Sequence, residues 1–398
     1  MRALCPGAAG GREQGVTVQG QVVREQVMLS GYTTLGLGGP AARFVEADRD
    51  DLIVATVRGA DRDGEPVLVL GGGSNLVVAD EGFPGTVLHL VTGGVTVSAG
   101  RDGAAMVAVA AGEDWDSLVE RCVAEGLSGI ECLAGIPGLA GATPIQNVGA
   151  YGQEVAATVT QVRAYDRLRD TVVELANADC GFGYRTSAFK RSTGAGGRGR
   201  AGRRGALDPA AATGRFIVLG VTFRLARDPL SAPVGYAELA RVLGVGEGER
   251  VPLGDARSAV LALRRGKGMV LDPADPDTRS AGSFFTNPVL DRRQFAEVER
   301  RAAARTGRAG EAGVPHFAAG NGLVKIPAAW LIEQAGFGKG YPGNGSARIS
   351  SKHTLALTNP GGASTASLVA LAREIRNGVR QSFGVELVSE PVLVGAEL

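Results

Sequence analysis

LGGGSNLVV, residues 70–78, is the stretch on which the fold turns. The apolar run Val67–Leu70 reads as a short buried strand, and Leu76-Val77-Val78 reads as a second strand. A dinucleotide-binding Rossmann unit needs a strand, then G-x-G-x-x-G, then a helix that meets the pyrophosphate with its N-terminus. Here Leu76 stands where the third glycine would be, and a strand follows instead of a helix, so that fold is excluded. No G-x-x-x-x-G-K-[ST] phosphate loop occurs anywhere in the chain. Two readings remain for Gly71-Gly72-Gly73-Ser74-Asn75. It can be an anion nest that offers successive backbone N–H groups to a phosphate, or a plain tight hairpin.

A second glycine cluster, AGIPGLAGATPIQNVGAYG, spans residues 134–152. Two prolines and five glycines exclude a regular helix or strand. Thr143, Gln146, Asn147 and Tyr151 interleave hydrogen-bonding groups without any formal charge. A long uncharged irregular loop of this kind suits a polyphosphate or a flavin edge held by backbone amides, with a structural loop as the alternative.

Strands and helices are interleaved outward from these clusters. Residues 42–47 alternate as a strand, and Leu52, Ile53, Thr56 and Val57 have helical spacing. Residues 106–110 form a further strand. Trp115, Leu118, Val119, Cys122 and Val123 then make one helical face, with Gly126 as its stop. Residues 159–165 and 216–225 read as strands, and 364–383 as an amphipathic helix ended by Gly384, after which 385–394 returns as strand. Residues 191–215, rich in Gly, Ala, Arg, Ser and Thr, should be a mobile loop, and residues 1–27 a disordered extension. The class is α+β. At 398 residues the chain should hold two or three domains.

Composition narrows the function. A net charge of +1 argues against a nucleic-acid or membrane-surface protein, which would carry a basic excess. No segment reaches the roughly 18 apolar residues of a spanning helix and no signal peptide is visible, so the chain reads as cytoplasmic. Cys5, Cys122, Cys132 and Cys180 form no Cys-x-x-Cys, and His89, His316 and His353 are scattered, so no metal site is expected.

The ordered set LGGGSNLVV, AGIPGLAGATPIQNVGAYG, CGFGYRTSAFK (180–190), AGSFFTNP (281–288) and AAWLIEQAG (328–336) resembles the UDP-N-acetylenolpyruvoylglucosamine reductases, also called UDP-N-acetylmuramate dehydrogenases. The resemblance runs from about residue 30 to the C-terminus. It implies a flavin domain of the vanillyl-alcohol-oxidase (PCMH) type in two subdomains, 28–97 and 98–266. It also implies a separate α+β substrate domain, 267–383, with 384–398 packing back on the second subdomain. FAD would lie on Gly71, Gly72, Gly73, Ser74 and Asn75, and on Gly135, Ile136, Pro137, Gly138, Gly141, Ala142, Thr143, Gln146, Asn147 and Gly149.

The same resemblance implies that NADPH reduces the flavin, and that the reduced flavin delivers hydride to the enolpyruvyl group of a UDP-sugar, a step of peptidoglycan precursor synthesis. Ser283 matches the proton donor, Arg185 the arginine facing the substrate carboxylate, and Glu390 the C-terminal acid. Tyr151, Tyr236, Lys267, Asn287 and Gln334 match substrate contacts. Around Glu390 the chain reads VSEPV (388–392), without the arginine that follows in the family pattern. The partners implied are the two nucleotide substrates, with a monomeric enzyme. Another flavin oxidoreductase of this fold, or a non-catalytic paralogue that binds FAD or a UDP-sugar, stays open at this point.

Overall fold

The computed structural model describes residues 16–18, 21–191, 213–306 and 313–398. Helices and strands are mixed throughout, as the α+β class requires. The chain divides into two compact units. The first comprises the described residues within 1–32, 39–74 and 81–271, and the second those within 33–38, 75–80 and 272–398.

Two sheets build the first unit. In the five-stranded sheet the order is Val16–Val18, Gln21–Met28, Pro40–Ala47, Phe83–Leu90, Val67–Leu70. Its last three strands run parallel, and the helix Asp50–Asp63 makes the crossover between two of them. Leu52, Ile53 and Val57 of that helix are buried, the face their spacing gave. The other sheet is antiparallel: Thr171–Ala176, Val159–Asp166, Phe216–Arg227, Ala105–Ala110, Val95–Ala99, with Leu127–Ser128 paired to the far end of the long central strand. Trp115, Leu118, Val119 and Cys122 bury one side of the helix Trp115–Ala124. Asp114 caps it by accepting from the Ser117 N–H at 2.8 Å. The Trp115 ring packs 5.7 Å from Phe223 and donates its Nε1–H to the Leu133 carbonyl at 3.0 Å.

The second unit has its own core of Phe284, Phe285, Leu331, Ile332, Leu368, Ile375 and Phe383. Its helices are Arg292–Thr306, Ala328–Gln334 and Thr365–Phe383, the last capped by Ser364 and stopped by Gly384 at φ 73°. Ser280–Ser283 pairs with Ala356–Thr358 and that strand with Arg348–Ile349.

Three expectations need correction. Leu76–Val78 does not form a hairpin with Val67–Leu70. It pairs in parallel with Val392–Val394, so the chain passes from the first unit to the second between Ser74 and Asn75. Residues 384–398 accordingly stay in the second unit and do not return to 98–266. Val385 and Leu387 are buried in the same core as Phe383, which keeps the segment beside the helix it leaves. Finally, most of the end of the supposed disordered extension is strand: Gln21–Met28 pairs with Pro40–Ala47, and Val27 is buried. Residues 1–15 and most of the 191–215 insertion (192–212) lie outside the described residues. At that insertion's exit, Thr213 is buried and its hydroxyl accepts from the Val69 N–H at 2.9 Å.

Candidate functional site

In the first unit the two glycine clusters meet backbone to backbone. A Cβ on Gly72 would lie 2.8 Å from the Gly138 Cα, and one on Gly138 would lie 2.8 Å from the Ser74 hydroxyl. Only hydrogen at both positions permits this approach. Ser74 joins the clusters by donating to the Pro137 carbonyl at 2.9 Å. The second loop is lashed to its surroundings: Gly141 N–H donates to Ala111, Ala140 N–H to Glu113, and Gly135 N–H to the Asp116 carboxylate at 2.6 Å. Among the described residues, the N–H groups of Gly72, Gly73, Ser74, Ile136 and Gly138 find no acceptor. Backbone donors left free on closely apposed loops are the raw material of an anion nest.

Beside Gly135 stands a residue that the sequence reading missed. Arg264 is buried, and its Nε lies 3.4 Å from where a Gly135 Cβ would be. One Nη donates to the Met269 carbonyl at 2.8 Å, Nε has no partner, and no carboxylate pairs with it among the described residues. Burial pushes this guanidinium below its ordinary pKa. A buried cation without a directly paired carboxylate, beside N–H groups that find no acceptor, suits an anionic or electron-rich cofactor edge. The signal was present in the sequence. Leu253, Ala256, Val260 and Leu261 form the buried stripe of the helix Leu253–Gly266, and Arg264 falls on the same stripe.

The remaining first-unit candidates fall into two groups. Asn147 is buried at φ 48°, and its side chain is satisfied inside the loop: its amide donates to Glu154 and to the Gly183 carbonyl, and its oxygen accepts from Ala156 N–H. Thr143 is also buried and donates to Ala140. Arg185 sits at φ 52° in the turn closed by Gly183 and Thr186, and donates to the Gly149 carbonyl at 2.7 Å and the Asn147 carbonyl at 3.4 Å. Arg185 therefore grips the end of the second cluster. Asn147, Tyr151 and Arg185 are all non-glycine residues with left-handed backbone, a conformation that tends to gather at functional sites.

The second group is Tyr151, Tyr236 and Lys267. The tyrosine rings meet edge to face with centroids 5.4 Å apart, and the Lys267 ammonium lies 5.5 Å from the Tyr151 centroid. Lys267 also donates to Glu238 at 2.6 Å. Burial alone would lower the Lys267 pKa; the Glu238 carboxylate and the two tyrosines outweigh it, and the net shift is upward.

The second unit gathers Ser283, Glu390 and Asn75. Gly282 at φ 71° lets the strand bulge just before Ser283, which is half-buried. The next residue, Phe284, donates to the Leu355 carbonyl at 2.7 Å and accepts from the Glu390 N–H at 2.9 Å. Asn75 holds the same segment, accepting from the Val392 N–H at 2.9 Å and donating to the Glu390 carbonyl at 3.4 Å. Asn287 and Gln334 are not brought together. The Asn287 oxygen accepts the first N–H of the helix Ala328–Gln334, from Ala328 at 2.9 Å, whereas Gln334 is exposed at its far end, roughly 9 Å along the axis.

Residues 41–176 match the model of an FAD binding domain, and residues 273–394 match that of the UDP-N-acetylenolpyruvoylglucosamine reductase C-terminal domain. The chain is 56% identical to the UDP-N-acetylenolpyruvoylglucosamine reductase of Thermobifida fusca, over 94% of this chain and 98% of the relative. It is 47% identical to that of Mycobacterium ulcerans, over 97% and 99%. The crystal structure of the Thermus caldophilus reductase shares the fold, with a TM-score of 0.55 at 23% identity, covering 94% of this chain and 99% of that one.

Proposed function

The chain belongs to the UDP-N-acetylenolpyruvoylglucosamine reductase family, the FAD-binding reductases of peptidoglycan precursor synthesis, and from that premise we propose that it reduces UDP-N-acetylglucosamine enolpyruvate to UDP-N-acetylmuramate with NADPH. The observation that carries this reading in the structure is the contact of the two glycine clusters beside the unpaired Arg264. The residues present fit FAD. Backbone N–H groups of Gly72, Gly73, Ser74, Ile136 and Gly138 suit its diphosphate or ring edge, and Arg264 suits an electron-rich ring edge. Bound FAD supplies a two-electron carrier between NADPH and the enol ether.

The protein's own groups then have distinct tasks. Hydride arrives at the methylene carbon, and negative charge develops on its neighbour and spreads into the carboxylate. Ser283 donates the proton that this second carbon requires. A hydroxyl is a weak acid, but a carbanion-like carbon is basic enough to take its proton. Arg185 faces the substrate carboxylate with donors beyond those it gives to Asn147 and Gly149, since a guanidinium carries five. Glu390 supports the charge developed in the same step as a protonated, hydrogen-bond-donating acid, and Lys267 takes the diphosphate of the UDP group as a point charge.

Steady-state assay tests the function. The purified protein should release FAD on denaturation, and should turn over NADPH beyond one equivalent per flavin only when the enolpyruvyl UDP-sugar is present. Its product should be heavier than the substrate by two hydrogens. Protein loaded with FAD that leaves the UDP-sugar unchanged would refute the proposal.

A further inference from the structure

Lys267 already has an anion. Its ammonium is 2.6 Å from the Glu238 carboxylate, with the two side chains 30% and 32% exposed. Lys267 follows directly on the helix Leu253–Gly266, and Glu238 lies in the first turn of the helix Ala237–Leu243, whose N-cap is Tyr236. The segment before that helix rests on the end of the second glycine cluster: a Cβ on Gly152 would lie 3.4 Å from the Gly235 backbone. The ion pair thus lies beside the Tyr151–Tyr236 ring contact, with Lys267 over the Tyr151 ring. A diphosphate that reaches Lys267 meets a carboxylate in the same place. The two anions compete for one ammonium and repel each other, and partial burial keeps that repulsion from being fully screened.

We infer that Glu238 is a displaceable counter-ion of Lys267, which holds the lysine over Tyr151 and must give it up when the nucleotide diphosphate binds. Glu238 thereby sets the affinity for the UDP moiety without contributing to it. The inference rests on the reading of Lys267 as the diphosphate contact. Two features of the pair support exchange over a permanent brace. Both side chains reach solvent, so separating them costs far less than breaking a buried pair. The cation–π contact with Tyr151 also keeps the ammonium in place when the carboxylate leaves.

Calorimetric titration of the FAD-loaded protein with UDP separates the two ideas. Glu238→Gln should bind UDP about two- to fivefold more tightly than the wild type, the range expected for releasing a partly exposed ion pair. Glu238→Ala should move in the same direction, and an unchanged FAD content certifies that both variants are folded. Lys267→Met should weaken UDP binding by about tenfold or more. Adding Glu238→Gln to Lys267→Met should tighten binding less than it does in the wild type, because only the repulsion is then removed. If Lys267→Met binds UDP as the wild type does, the assignment of Lys267 to the diphosphate falls. If Lys267→Met is weak but both Glu238 variants are unchanged or weaker, that assignment stands and the counter-ion inference is overturned, because Glu238 then braces the lysine.

Discussion

Ser283 shows how little of a catalytic assignment a single residue declares. A serine after glycine is usually a turn residue, and here Gly282 does supply a left-handed bulge. What distinguishes Ser283 is its setting: it stands one residue before Phe284, whose carbonyl accepts from the Glu390 N–H. Ser283→Ala should leave flavin reduction by NADPH near the wild-type rate, since that step takes no proton from this hydroxyl. Reoxidation by the UDP-sugar should slow by at least about 10²-fold. Ser283→Cys should recover part of the loss by restoring an ionisable donor. Rapid-mixing absorbance follows both steps in one sample. An alanine variant reoxidised at the wild-type rate would reduce Ser283 to a turn residue. Asn147 gives the contrasting case. Its side chain is satisfied by Glu154, Gly183 and Ala156, so what it does in this structure is shape the loop.

At the scale of elements, the helix Leu253–Gly266 carries a cation on its apolar stripe. A buried charge without a paired carboxylate is costly to the fold that contains it, and an apolar replacement of similar size is often neutral or stabilising. Arg264→Met should therefore leave the FAD-free protein as resistant to urea as the wild type, or more so. FAD affinity should fall by about tenfold or more, as expected for losing a charge-assisted contact. Equilibrium unfolding and flavin fluorescence titration measure the two effects. A variant that lost stability but kept FAD affinity would make Arg264 a packing residue. Several elements were legible in the sequence because their apolar faces are long and regular: Asp50–Asp63, Trp115–Ala124 and Thr365–Phe383 lie within a few residues of where their spacing put them. The strand Gln21–Met28 was not legible, because only Val23 and Val27 mark its inner side and the residues before it are rich in glycine and polar groups. Glu238 went unnoticed for a different reason: its partner lies just past the end of another helix, and pairing between distant segments leaves no local pattern.

Across the whole molecule, the glycine clusters were readable as backbone that must approach something closely, and the structure supplies the approach between Gly72 and Gly138. What the sequence could not tell was where the chain changes units. Ser74 and Asn75 are neighbours in one motif, yet Ser74 ties the first unit's loops together while Asn75 secures the Glu390 segment of the second. That division follows from the pairing of Leu76–Val78 with Val392–Val394, a contact between distant parts of the chain that no local periodicity encodes. The first unit thus carries both glycine clusters, Arg264 and Lys267, and the second carries Ser283 and Glu390. The account holds that one flavin serves both nucleotide substrates in turn. Anaerobic stopped-flow absorbance of the FAD-loaded protein tests this most directly. NADPH should bleach the oxidised flavin band with no UDP-sugar present, and a second mix with the enolpyruvyl UDP-sugar should restore it, with one UDP-N-acetylmuramate formed per flavin. A flavin that NADPH bleaches but the UDP-sugar leaves bleached, with no product formed, would contradict the account.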